Sequence, residues 1–221
     1  MSKQYRPDMP EVPDRIRALP VQNGYPVPWF LEEPQTEDGL YDFRIVSPDK
    51  MGKAYRAKVC WVCGQKLGAN LAFAIGPMCS INRVIGEPPS HRECAEWSAK
   101  ACPFLNQKQM VRRDTGLPDS FTKAAGIPIM DQPGVTCIWV TKSYKPFKPP
   151  GGGVLFDLGP PLEVLWFCKG RPATRAEVLD AIDAGYPALM ELAKLDGPSA
   201  IAELEGKKAI ALELIPKESR Y

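Results

Sequence analysis

The chain has 221 residues, 44% of them hydrophobic and 24% charged, with a net charge of +2 at pH 7. That composition excludes a wholly disordered chain, and no apolar run approaches the ~18 residues of a membrane span. Twenty-four prolines predict many loops and short elements, and seven cysteines, an odd number, argue against a secreted disulfide framework.

Residues 1–40 are rich in Pro, Asp and Glu, and are expected to form an extended arm anchored by Trp29 and Phe30. Tyr41 to Val46 has the composition of a short strand. Ser47-Pro48-Asp49 is a helix start, with Ser as N-cap, Pro at the first helical position and an acid in the first turn; the helix should run to about Ala57. Leu71 to Ile75 and Cys79 to Val84 suggest a hairpin around Gly76-Pro77. Ser90-His91-Arg92-Glu93 has the form of a capping box and predicts a helix to about Ala101. Residues 104–135 are punctuated by Pro and Gly and give no clear element. Thr136–Lys142, Val154–Leu158 and Leu162–Cys168 predict an antiparallel sheet of about three strands, with Pro146 to Gly153 as a long loop. Thr174-Arg175-Ala176-Glu177 is a second capping box, and Pro187 and Pro198 suit further helix starts.

Within this order lies a Cys60-Trp61-Val62-Cys63-Gly64 turn, followed by His91-Arg92-Glu93-Cys94. Two ligand pairs, each with two residues between its members, suit a four-coordinate structural zinc. Gly64 permits the left-handed residue that such a turn needs, and a helix N-terminus favours thiolate over thiol at Cys94. His91 is the only histidine in the chain. The expected ligands are Cys60, Cys63, His91 and Cys94; Cys79 or Cys102 replacing one of them is the alternative. Cys137 and Cys168 fall in strand-like runs and read as small core residues.

A turn with two cysteines, a hairpin, and a helix carrying two ligands in its first turn resembles the treble-clef zinc finger over residues 58 to about 102. Gly76-Pro77-Met78-Cys79 and Pro88-Pro89-Ser90-His91 also resemble segments of uncharacterised phage and bacterial proteins, which brings no function with it. The expected fold class is therefore α+β: a basic zinc-finger module at 41–113 after the arm at 1–40, joined to a small antiparallel sheet and C-terminal helices at 114–221. Some treble-clef proteins are nucleases that use a histidine general base. Here the sole imidazole is assigned to the metal and four protein ligands leave no open position, so no catalytic residue is assigned.

Charge is unevenly distributed. Residues 50–113 carry 11 Lys/Arg against 3 Asp/Glu, whereas residues 1–49 carry 5 against 9. Lys50, Lys53, Arg56, Lys58, Lys66, Arg83 and Arg92, with Trp61 as a flat surface for a base, therefore make a candidate nucleic-acid interface; Lys108, Arg112 and Arg113 follow it. The expected function is a cytoplasmic, non-catalytic structural-zinc protein that binds nucleic acid. The alternatives are a protein-binding adaptor or inhibitor and a zinc-containing nuclease-like enzyme.

Overall fold

The structure, a computed structural model, describes residues 4–34, 38–106 and 134–217. Lys108, Arg112, Arg113 and most of segment 104–135 lie outside the described residues. The helices are α1 (Asp14–Arg17), α2 (Pro48–Ala57), α3 (Pro77–Asn82), α4 (Arg92–Ala101), α5 (Pro103–Asn106), α6 (Arg175–Asp196) and α7 (Pro198–Glu213). The strands are β1 (Val21–Gln22), β2 (Tyr25–Pro26), β3 (Leu71–Ile75), β4 (Val84–Ile85), β5 (Val135–Thr141), β6 (Tyr144–Phe147), β7 (Leu155–Leu158), β8 (Pro161–Cys168) and β9 (Arg171–Pro172). The fold is α+β with antiparallel sheets.

All seven residues of β5 are buried. A β-branched and aromatic run of this kind fits a strand covered on both faces. Accordingly β5 lies inside an antiparallel sheet of order β3-β5-β8-β9. Its side chains divide by the period of two. Cys137 and Trp139 join Phe73, Trp166 and buried residues of α3, α6 and α7 in the larger core. On the other face, Ile138, Val140 and Phe167 meet Ala72, Ala95 and Ala99, and these alanines allow α4 to lie close against the sheet. A second sheet of order β4-β7-β6 joins the first through aromatic rings: Tyr144 packs edge-on against both Phe73 and Phe156, with centroids 5.6 Å apart in each pair.

Several expectations hold. Ser47 caps α2 and accepts from the Lys50 N–H, and α2 ends at Ala57. Thr174 and Glu177 form the reciprocal capping box of α6. Cys137 and Cys168 are buried. Phe30 stacks on Trp61, but residues 4–34 are not simply extended: they hold α1 and the β1–β2 pair and bury Val12, Ile16, Leu19, Val27 and Leu31.

Other expectations are corrected. Residues 41–46 form turns and only one isolated bridge, between Leu31 and Val46. The hairpin over 71–84 is replaced by β3 followed by α3: Gly76 is the N-cap and Pro77 the first helical residue, while β3 pairs with distant β5. Ser90 does not cap α4. Its N–H and C=O are both engaged with Ala72, which holds it extended and makes His91 the N-cap. The expected three-stranded sheet is divided between two sheets, and β6, Tyr144–Phe147, takes in the first two residues of the loop expected from Pro146 to Gly153. Pro187 starts no helix and lies inside α6. The buried positions Val178, Ile182, Leu189 and Ala193 keep one helical face against the core across it, and this packing outweighs the lost backbone hydrogen bond.

Candidate metal centre

The Cys60–Gln65 turn is built by backbone hydrogen bonds. Cys60 N–H donates to Gln65 O at 2.7 Å, Gly64 N–H to Cys60 O at 2.8 Å, and Val59 and Lys66 form a bridge around them. Lys58, left-handed at φ 52°, ends α2 and turns the chain into this loop. Gly64 has φ +73°, and a Cβ there would stand 2.5 Å from Cδ1 of Trp29. The glycine is therefore required twice, for its backbone angle and for the indole packed over it. Trp61 N–H donates to Pro89 O at 3.0 Å, and Ser90 is held by Ala72, so the second ligand pair is delivered beside the first.

The result is a cluster of Cys60, Cys63, His91 and Cys94 whose ligand atoms all lie within 4.8 Å of one another. His91 Nδ1 is 3.4 Å from Cys63 Sγ and 3.9 Å from Cys94 Sγ. Zinc–ligand bonds of ~2.0–2.3 Å at tetrahedral angles separate a sulfur and a nitrogen by about 3.6 Å, so the donor set fits a four-coordinate ion. The ring orientation also fits. His91 Nε2 is 3.0 Å from the Lys66 carbonyl, which only accepts, so Nε2 carries the proton and Nδ1 turns its lone pair toward the sulfurs. Cys79 and Cys102 are not in the cluster; burial raises both thiols, Cys79 to about 11.

The sulfurs differ in their surroundings. Cys60 Sγ faces the N–H groups of Cys63 at 3.5 Å and His91 at 3.4 Å. Hydrogen bonds from the Cys63 and Cys94 thiols, then these amides, hold Cys60 well below its usual range. Cys94 is pushed upward, first by its hydrogen bonds to Cys60 and Cys63 and then by burial. Three sulfurs this close resist ionising together. A divalent cation at their centre is the electrostatic complement that lets all three ionise.

A further residue belongs to this centre. Arg15 of α1 donates from Nε to Glu93 Oε1 and from Nη1 to Gln65 Oε1, each at 2.7 Å. It thereby ties the cysteine turn to the helix that bears Cys94, and the charges of Cys63 and Cys94 act on its guanidinium. Sequence reasoning missed Arg15 and gave Glu93 a capping role. No spacing rule joins positions 78 residues apart.

The proposed nucleic-acid residues do not share one environment. Lys50 bonds to Glu33 and to Leu31 O, Lys66 to Ala57 O, and Arg92 pairs with Glu96 and Glu163, so these three cations are already engaged. Lys53, Arg56 and Lys58 are exposed on or just after α2, with Lys53 over the Trp29 ring and Arg56 over Tyr55. Arg83 is half-buried and lies over Trp139. Trp61 is corrected as a base-stacking surface: it is 3% exposed and its ring is covered by Phe30 at 4.8 Å between centroids.

No protein-family model matches the chain, and neither a curated protein nor a solved structure matches it significantly. No helix among the described residues is long and apolar enough to cross a membrane.

Proposed function

We propose that this is a non-catalytic structural-zinc protein whose metal centre fixes a basic surface for nucleic acid. The observation that carries the metal assignment is the convergence of three sulfurs and one correctly oriented imidazole nitrogen from two remote segments. A three-sulfur, one-nitrogen donor set favours zinc over harder cations. Bound there, zinc supplies a cross-link between the Cys60–Cys63 turn and the start of α4 and compensates the thiolate charge. The chain's own residues do the rest. Lys66 O sets the imidazole tautomer, backbone amides support Cys60, and Arg15 holds the two ligand-bearing segments together. With the only imidazole directed at the sulfurs, no histidine is left to activate water. All seven cysteines are free, which suits the reducing cytosol.

The nucleic-acid part of the reading rests on Lys53, Arg56 and Lys58, exposed and without an ion pair to any described residue. The test has two arms. Elemental analysis of purified protein should give one zinc per chain, lost in Cys63→Ser and in Cys94→Ser. Binding of labelled duplex and single-stranded oligonucleotides should be detectable at 50 mM salt, weaken steeply by 200 mM, and fall at least tenfold in the Lys53→Glu/Arg56→Glu/Lys58→Glu variant. Retention of the metal by the serine variants sinks the ligand set; undetectable binding at low salt sinks the nucleic-acid reading.

A further inference from the structure

The outer face of the second sheet carries a basic and aromatic surface that the metal centre does not use. In β7, Phe156 and Leu158 are buried and Asp157 is exposed, so residues 156 and 158 define the inner face and residues 155 and 157 the outer one. The antiparallel register places Lys145 opposite Asp157 and Phe147 opposite Leu155, which puts Lys145 and Phe147 on the outer side. Phe147 is 37% exposed there. Lys142, Lys145 and Lys148 are all exposed, and none has an ion pair with any described residue. Segment 142–148 holds these three lysines and no acid. Asp157, opposite Lys145, is the one acid in its β6–β7 pairing register.

We infer that this face, with β6 at its edge, binds single-stranded nucleic acid, the lysines taking phosphates and Phe147 stacking on a base. Lys145 stands on the outer face, while Lys142 lies in the bend before β6 and Lys148 just past its end, so these two flank the strand. Three residues of extended chain span about 10 Å, so Lys145 and Lys148 stand about one screening length apart at 0.1 M salt and act on one polyanion together. An exposed phenyl ring beside them adds a contact that a flexible strand with unstacked bases can meet and a duplex cannot. The edge itself disfavours the other chemistry that fits an exposed strand, addition of an acidic peptide as a further strand. Pro146 removes one N–H from β6, and flanking lysines are a common device against strand pairing. The inference rests on the nucleic-acid reading above and places a second, strand-selective surface away from α2.

The experiment measures fluorescence anisotropy of a labelled dT20 single strand and of a 20-base-pair duplex against the zinc-loaded full chain. Three proteins are compared with the parent: Lys142→Glu/Lys145→Glu/Lys148→Glu, Phe147→Ala, and the α2 variant Lys53→Glu/Arg56→Glu/Lys58→Glu. Zinc content and circular dichroism confirm that each is folded. The lysine variant should weaken dT20 binding at least tenfold. Phe147→Ala should weaken it about tenfold and leave the duplex affinity within twofold, because stacking is the single-strand contact. If both β6 variants bind dT20 like the parent while the α2 variant does not, the inference is overturned and the α2 reading stands. If the β6 variants lose binding and the α2 variant keeps it, the inference stands and the α2 interface falls. A parent protein that binds neither probe at low salt overturns both.

Discussion

Arg15 lies outside the four-residue cluster yet ties its two halves together. Its guanidinium bridges Gln65, two positions after Cys63, and Glu93, one before Cys94. Removing it leaves all four donors in place but frees the two ligand-bearing segments to move apart. Outer-shell partners of this kind commonly affect metal affinity by 10–100-fold. Arg15→Ala should therefore still purify with one zinc, but lose it to a chromogenic chelator at least tenfold faster than the parent. Equal transfer rates would show that the bridge is only a surface ion pair, the usual fate of an exposed Arg–Glu contact. Gly64 makes the opposite demand, for the absence of a side chain. Gly64→Ala meets both a left-handed backbone and the Trp29 indole, and should cost several kcal/mol in chemical denaturation. Gly206, in the middle of α7, has nothing within 4 Å of its would-be Cβ. Gly206→Ala should instead stabilise by about 0.5–1 kcal/mol through helix propensity alone. Had Gly64→Ala matched Gly206→Ala in stability, the packing of Trp29 on the cysteine turn would be wrong.

Among the elements, α6 offers a pH-dependent test. Arg171, followed by the Thr174 N–H, holds the Glu177 carboxylate well below its ordinary 4.5. Folding therefore depresses this pKa. The stabilisation is present above the unfolded value and is lost as pH falls through the folded one. Glu177→Gln should narrow the stability gap between pH 6 and pH 3, while Thr174→Ala should cost about 1 kcal/mol at both. A parallel pH profile for parent and Glu177→Gln would remove Glu177 from the acid response. This cap was legible in the sequence because it depends on four consecutive residues, as were α2 and the strands β5, β7 and β8. The capping box at Ser90 had the same form and was not used. Ala72, from a different element, engages both Ser90 backbone groups, and local pattern cannot register such a competitor. Gly76-Pro77 was ambiguous for a related reason: glycine then proline suits a turn and a helix start equally, and the pairing of β3 with β5 decided for the helix. The cluster of Cys60, Cys63, His91 and Cys94 was readable from spacing. The tautomer of His91 and the Arg15 bridge were not, since both depend on partners remote in sequence.

Across the whole molecule, the Cys/His cluster and the N-terminal arm are tied together by a series of contacts. Trp29 N–H donates to Val62 O at 2.8 Å, its ring lies on Gly64, Phe30 stacks on Trp61, and Trp97 Nε1 donates to Pro10 O at 3.4 Å. Arg15 adds its two bonds to Gln65 and Glu93. Nearly every one of these partners belongs to the cysteine turn or to α4. The α6–α7 hairpin is held differently, through Val178, Ile182 and Leu204 in the larger core and a Trp166 Nε1 bond to Leu214 O at 3.1 Å. Local opening should follow this division. In hydrogen exchange on the full chain, adding a strong chelator should deprotect residues 10–31 together with 60–67, while amides of α6 and β5 keep most of their protection. Trypsin should then cut first after Arg15 and Arg17, whose helix α1 is held by Ile16 and by Arg15. The arm is also held to residues 41–50, by the Leu31–Val46 bridge, the Ser47 N–H bond to Phe30 O and the Lys50 bonds to Leu31 O and Glu33, and that segment leads through α2 into the same cysteine turn. If arm and hairpin lose protection at the same rate after chelation, the ion stabilises the fold globally. If neither changes, the four donors do not need an ion to stay together, and the structural role assigned to the metal fails.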